Sequence, residues 1–246
     1  MGQYSSISRF GKTEDLDLHI QRGFVQGHKA INKFGYATSV SSLEVAVFNG
    51  GVDYVYATTA APLLVVGTST VDVSSAITIE GLDVNYNEIS TVVTINGTTT
   101  VTTTDSFIRV NRAFVSNDAE PTSSIRILNS DGNLNSEIAA EENQSLQAVY
   151  TIPAGYTGYL EQIAANTATE TGNRFVRVRL KVREFGGVFR TKAKFTLHDG
   201  SYEEIYKFPI PIPEKSDIEA TAESSSGVNE VSAVFAILLI KNEIEE

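Results

Sequence analysis

Apolar and polar residues alternate most cleanly between Arg174 and Leu197. Val176, Val178, Leu180 and Val182 alternate with Arg177, Arg179, Lys181 and Arg183, the period of two that a half-buried strand requires. Beyond Gly186-Gly187, the residues Phe189, Thr191, Ala193 and Phe195 alternate with Arg190, Lys192 and Lys194. Glycine adopts positive φ without steric cost, so the pair predicts a tight hairpin turn. That turn would set Arg183 opposite Arg190, Lys181 opposite Lys192 and Arg179 opposite Lys194 on one face. Directly opposed like charges destabilise a strand pair by roughly 0.2–1 kcal/mol each. The face therefore calls for an acidic counterpart.

The same reading along the rest of the chain yields short strands and turns. Residues 1–26 show no sustained period and predict an extended arm. Leu43, Val45, Val47 and Phe48, then Asn49-Gly50-Gly51, then Val52, Tyr54 and Tyr56 predict a hairpin. Pro62 opens the run Leu63 to Val66, which predicts an edge-entered or buried strand because proline cannot donate to a ladder. Further runs are Ala76 to Leu82, Ile89 to Ile95, Ser106 to Val115, Ile125 to Leu128, Val149 to Ile152, Tyr159 to Ala164, Ser201 to Phe208 and Ile218 to Ala222. Val231 to Ile240 reads as a fully buried strand and is too short to span a bilayer as a helix. Regular strand spacing with Gly, Asn and Pro turns predicts an all-β chain built of β-sandwich or jelly-roll modules. Polar residues concentrate between Ser116 and Ser145, dividing the chain into an arm (1–26), an N-terminal β module (27–143) and a C-terminal β-sandwich or jelly-roll module (144–246).

Composition narrows the function. The formal net charge of -11 argues against sequence-specific nucleic-acid binding, which needs a basic field. Seven of the 19 Lys and Arg residues nevertheless fall between Arg177 and Lys194, so charge is sharply divided along the chain. There is no cysteine, which rules out disulfides and thiolate metal sites. Met1 to Phe10 holds no apolar core of a signal peptide, and no membrane partner is expected.

Candidate chemistry is sparse. No nucleophile elbow, phosphate loop or His-Glu-x-x-His pattern occurs, so no catalytic residue, cofactor or metal is expected. Asn129, Asp131, Asn133, Asn135 and Glu137 superficially suggest a calcium loop, but the spacing fits a plain turn. Asn96-Gly97-Thr98 and Asn143-Gln144-Ser145 match the glycosylation sequon, which without a secretion signal carries little meaning. The three histidines are scattered. Asp15 and Asp17 fall in the arm, where no burial is expected to shift their ionisation. Tyr54, Tyr56, Tyr156 and Tyr159 suit a glycan surface, although their alternation with core positions favours partial burial.

The basic face of Arg177, Arg179, Lys181, Arg183, Arg190, Lys192 and Lys194 is therefore the leading candidate site. It would face an acidic protein neighbour, with a phosphate backbone less favoured. The plain structural alternative is quenching within the sheet by Glu203, Glu204, Glu219 or Glu223. The acidic tail Glu243, Glu245 and Glu246 is a possible counterpart on a second copy.

Ile79-Glu80-Gly81-Leu82-Asp83, Thr94-Ile95-Asn96-Gly97-Thr98-Thr99, Phe107-Ile108-Arg109-Val110, Tyr150-Thr151-Ile152-Pro153-Ala154-Gly155 and Glu214-Lys215-Ser216-Asp217-Ile218 together resemble virion structural proteins of marine and cyanobacterial tailed phages. The resemblance runs from about Ile31 to Ile240. It implies a non-enzymatic virion component assembled in the host cytoplasm. The expected form is a homotrimeric capsid cement or decoration protein on the outer head surface, with copies of itself and the major capsid protein as partners. The alternative is a tail, neck or head-fibre module for host adsorption through a receptor or glycan.

Overall fold

The computed structural model describes residues 7–9, 12–168 and 174–242. The chain is all-β. It opens with a two-stranded hairpin, β1 (Ile7–Arg9) and β2 (Lys12–Glu14), and one short helix, α1 (Leu16–Gln21). Then come β3 (His28–Val40), β4 (Val45–Ala46), β5 (Ala61–Gly67), β6 (Ala76–Leu82), β7 (Glu88–Thr94) and β8 (Val101–Phe107). β9 (Arg109–Val115), β10 (Ile125–Leu128), β11 (Leu134–Ile138) and β12 (Val149–Thr151) follow. The last six are β13 (Tyr156–Ala168), β14 (Val176–Arg183), β15 (Arg190–Leu197), β16 (Gly200–Ile212), β17 (Asp217–Ser224) and β18 (Asn229–Lys241).

These strands build two sandwiches. In the first, the sheet β11-β10-β5-β8 faces the sheet β7-β6-β9 across a core that includes Val65, Ile77, Ile79, Ile95, Ile125, Ile127 and Ile138. In the second, β12-β17-β14-β15, with β4 beside β17, faces β16-β13-β18-β3. Its core holds Leu160, Ile163, Val178, Leu180, Phe235 and Ile237, all buried. One face of each of these four sheets is thus removed from water, the main driving force for such layers. A third, smaller cluster of Ala46, Phe48, Tyr54 and Val149 links the two.

Several sequence expectations meet a different structure. The segment predicted as a hairpin across Asn49-Gly50-Gly51 contributes only β4, and residues 52–56 form no strand. Its aromatics turn inward instead: the Tyr54 hydroxyl donates to the Val110 carbonyl at 3.4 Å and the Tyr56 hydroxyl to Glu219 at 2.9 Å. The predicted extended arm contains α1, which Asp15 caps by accepting the Asp17 amide at 3.3 Å and which buries His19 and Ile20. Asp17 there has a raised carboxyl pKa, first from partial burial and then from Asp15. The run opened by Pro62 meets the second of its two expected forms, a buried interior strand between β10 and β8, with Pro62 at a register irregularity against β8 where a missing amide is tolerated.

β3 carries no clean alternation in sequence, and a division at residue 143 groups it with the first half. Its ladder partner is β18, from His28 opposite Ile240 to Val40 opposite Asn229, so it closes the second sandwich. β18 is central to that sheet, which explains an apolar run broken only by Ser232: Val231, Ala233, Phe235, Ile237 and Leu239 fill the core while their neighbours are half-covered on the other face.

Gly35 in β3 is where the backbone must pass closest to a neighbouring segment. A Cβ there would stand 2.1 Å from the Val47 carbonyl oxygen and 2.4 Å from the Ala148 nitrogen. Gly35→Ala is therefore expected to cost about 3 kcal/mol in urea unfolding. A loss below about 0.5 kcal/mol would show that this crossing tolerates displacement.

Candidate functional site

The strict alternation of β14 is realised in full: Val176, Val178, Leu180 and Val182 are buried, and the intervening basic residues lie on the outer face. What lies beside them is β17. Its register sets Arg177 opposite Glu223, Arg179 opposite Thr221, Lys181 opposite Glu219 and Arg183 opposite Asp217. Opposite charges directly across a ladder stabilise the pairing that like charges would disrupt. Glu223 accepts from Arg177 at 2.8 Å and from Arg179 at 2.9 Å. Hydrogen bonds from Arg179 and then Arg177 pull its carboxyl pKa down to about 2. Glu44, in the segment before β4, adds a second carboxylate, 3.2 Å from Arg179 and 2.5 Å from Lys181. Glu219 lies deeper, where burial raises its carboxyl pKa against the opposing Tyr56 hydrogen bond and Lys181 charge.

β15 is different. It is the last strand of its sheet, so one backbone edge is unpaired among the described residues. Arg179 faces Lys194 as the alternation predicts, but a bulge between Leu180 and Lys181 sets Lys181 opposite Thr191 and Val182 opposite Arg190. Lys192 becomes the extra residue, which relieves two of the three predicted like-charge pairs. The turn is also longer than predicted, spanning residues 184–189 between the strands. Within it the Gly187 amide donates to the Glu184 carbonyl at 2.8 Å and Gly186 takes φ 73°. The added length lets Phe185 reach Tyr86 and Phe189 reach Tyr56, with ring centroids 5.6 and 5.3 Å apart. Arg190, Lys192 and Lys194 are exposed. Arg190 has a 3.6 Å contact with Glu184, and neither lysine forms an ion pair with a described residue.

The hairpin tip is anchored to the first sandwich by a buried charge cluster. Asp217 accepts from Arg109 of β9 at 2.7 and 3.1 Å, from Arg183 at 2.6 and 3.0 Å, and from the Thr151 hydroxyl at 2.7 Å. Arg109 and Asp217 side chains are each only 5% exposed. Arg109 also donates to the carbonyls of Ala57 and Ile108 at 2.8 and 2.7 Å. Tyr56 lies under both guanidiniums, 5.1 Å from that of Arg109 and 4.4 Å from that of Arg183. Neither Arg109, Asp217 nor Glu44 stands out in the sequence as a partner of the basic run. The signal was present in Asp217, Glu219 and Glu223, which alternate at period two and run antiparallel to Arg183, Lys181 and Arg177. Glu203 and Glu204 lie on β16, outside this sheet, and form no ion pair with the hairpin. Glu243, Glu245 and Glu246 lie outside the described residues.

The Asn129 side chain accepts the amides of Asp131 and Asn133 at 3.0 and 2.8 Å, which makes it the pivot of a turn. Among the described residues no group of three His, Asp or Glu side chains gathers to hold a metal. No described helix is long and apolar enough to cross a membrane.

No protein-family model matches the chain, and no curated protein does. Among solved structures it is similar to the infectious bursal disease virus VP2 subviral particle, with 9% identity over 88% of this chain and 72% of that one and a TM-score of 0.25. For the Gx strain of that virus the figures are 11%, 88%, 76% and 0.23. For a vicilin from Solanum melongena they are 9%, 88%, 76% and 0.16. Overlap of this extent leaves the function to be argued from the chain's own residues.

The two strands of the hairpin should respond differently to substitution. Asp217→Ala leaves the buried Arg109 guanidinium without its carboxylate, and the half-buried Arg183 loses the same partner, so it is expected to cost about 3–5 kcal/mol. Lys192→Ala and Lys194→Ala should each stay within about 0.5 kcal/mol of the parent in chemical denaturation. Equal costs in the two strands would contradict this division.

Acid provides a second test. The folded-state pKa of Glu223 lies below its ordinary value of 4.5, so its stabilising contribution is fully present above that value and fades as pH falls toward about 2. Glu223→Gln should flatten the acid limb of the stability profile over that window. An unchanged limb would show that the pairs with Arg177 and Arg179 add nothing.

Proposed function

We propose that this chain is a non-enzymatic virion structural protein of a tailed bacteriophage. In this reading it is a homotrimeric cement or decoration protein on the outer surface of the head, where it touches copies of itself and the major capsid protein. The observation that carries the proposal is the unsatisfied half of the hairpin. Arg190, Lys192 and Lys194 project from an edge strand with no buried counter-charge, in a chain of net charge -11. Such a row is complementary to the acidic surface that the same chain presents, so copies attract through it. Lysines on an edge also oppose uncontrolled strand addition, which suits contact through side chains in a closed assembly. The buried Asp217 cluster supports the reading from the other side, because a component repeated over a shell benefits from two sandwiches held in one fixed relation. The resemblance to phage virion proteins supplies the class of particle.

Arg179 and Lys181 are consumed by Glu223 and Glu44, so the contact is assigned to β15 alone. Charge reversal in Lys192→Glu/Lys194→Glu should weaken self-association by about tenfold or more in analytical ultracentrifugation at low salt. The difference from the parent should shrink as ionic strength approaches about 0.5 M. Unchanged association of a folded double variant would eliminate this strand as the interface.

A further inference from the structure

A cleft of about 640 Å³ opens between the two sandwiches, with β3 on one side and β6, β7 and β9 on the other. Ile31, Ile89, Leu146 and Tyr150 give it apolar walls, and Lys33, Arg112 and Glu80 bring charge to it. Lys33 is only 8% exposed, and its amine donates to the Asn111 carbonyl. An ammonium carries three donors, and no other described residue accepts from this one. Arg112 donates to Gln144 at 3.3 Å and lies across the ladder from Glu80. Glu88 also lines the cleft but is ion-paired with Lys29. The charges left are two cations and one carboxylate.

We propose that this cleft binds a small organic carboxylate, its carboxyl group held by Lys33 and Arg112 and its apolar body against Ile31, Ile89, Leu146 and Tyr150. A monoanion closes the local charge, whereas a phosphate dianion would overfill it beside Glu80 and Glu88. Concave, mainly apolar surfaces with a few convergent polar groups are the usual form of small-molecule sites. Binding is coupled to a proton. In the free protein, burial and then Arg112 lower the Lys33 pKa to about 7, with Glu80 opposing, while Lys29, Glu88 and Tyr150 complete the ionisable surroundings. A bound carboxylate favours the protonated amine, so affinity falls as pH rises through that value. The site does not depend on the assembly reading, and the two stand or fall separately.

The test is an NMR titration of the full chain with benzoate, with benzyl alcohol as a neutral analogue of similar size. Saturating shifts of the Ile31 and Ile89 methyls are expected with benzoate, at least about tenfold tighter than with the alcohol. Its Kd should weaken about thirtyfold between pH 6 and pH 8.5, since each pH unit above the free-state value costs about tenfold. Lys33→Met should abolish the pH dependence and reduce the preference for the anion to what Arg112 alone supplies. Arg112→Gln, at an exposed position, should weaken benzoate while keeping the pH dependence. No saturation by benzoate or hexanoate up to about 10 mM, equal binding of the alcohol, or a pH-independent Kd would each overturn the proposal.

Discussion

One carboxylate fixes the relation of most other parts of this molecule. Asp217 is buried at the junction of the two sandwiches and receives two guanidiniums and a hydroxyl. Taking such charges out of water costs several kcal/mol per ion, which only a complete set of partners offsets. Arg183 of β14 and Thr151 of β12 flank Asp217 within its own sheet and Arg109 comes from the first sandwich, so completing the set ties three adjacent strands to the other sandwich. Aromatic rings then cover the cluster, with Tyr56 lying beneath both arginines. The hairpin is therefore held rigidly at its tip and along β14, while β15 remains open at the margin of its sheet.

That asymmetry divides one basic run into an inner strand with paired charges and an outer strand with exposed ones. The inner strand forms a charge ladder with β17 and Glu44, and its role is to specify register. The outer strand keeps its charge available. A bulge at Lys192 removes the lysine-against-lysine contact that regular pairing would impose, and the side chain projects from the edge. Physical economy points the same way: charges needed for folding are shielded from salt by partial burial, and those free to meet another molecule remain in water.

Much of this was legible in the sequence. The buried face of β14, the bounds of β6 and β10, the buried last strand and the all-β class all follow from period-two alternation and turn residues. The register of β15 did not, because a bulge leaves no mark in a polar pattern that already alternates. β3 is not legible in the pattern because Asn32 and Lys33, which both line the cleft between the sandwiches, interrupt its apolar positions. The longer turn was hidden because a glycine pair satisfies a tight hairpin as well as a loop carrying Phe185 and Phe189. The basic face is recognisable in the sequence, and so is the period-two row of Asp217, Glu219 and Glu223. Their pairing with it is not, because it depends on the β14–β17 register and on Glu44, which reaches Arg179 and Lys181 only in the folded chain.

A component that follows a symmetric shell must be present at lattice copy number, so counting it tests the proposed role most directly. Quantitative mass spectrometry of purified virions, scaled to the major capsid protein, should give a ratio on the order of one to one, because a closed lattice repeats each contact at every equivalent site. A ratio below about one in ten would place the protein at a unique vertex or on sparse fibres, and absence from the particle would contradict a virion role altogether.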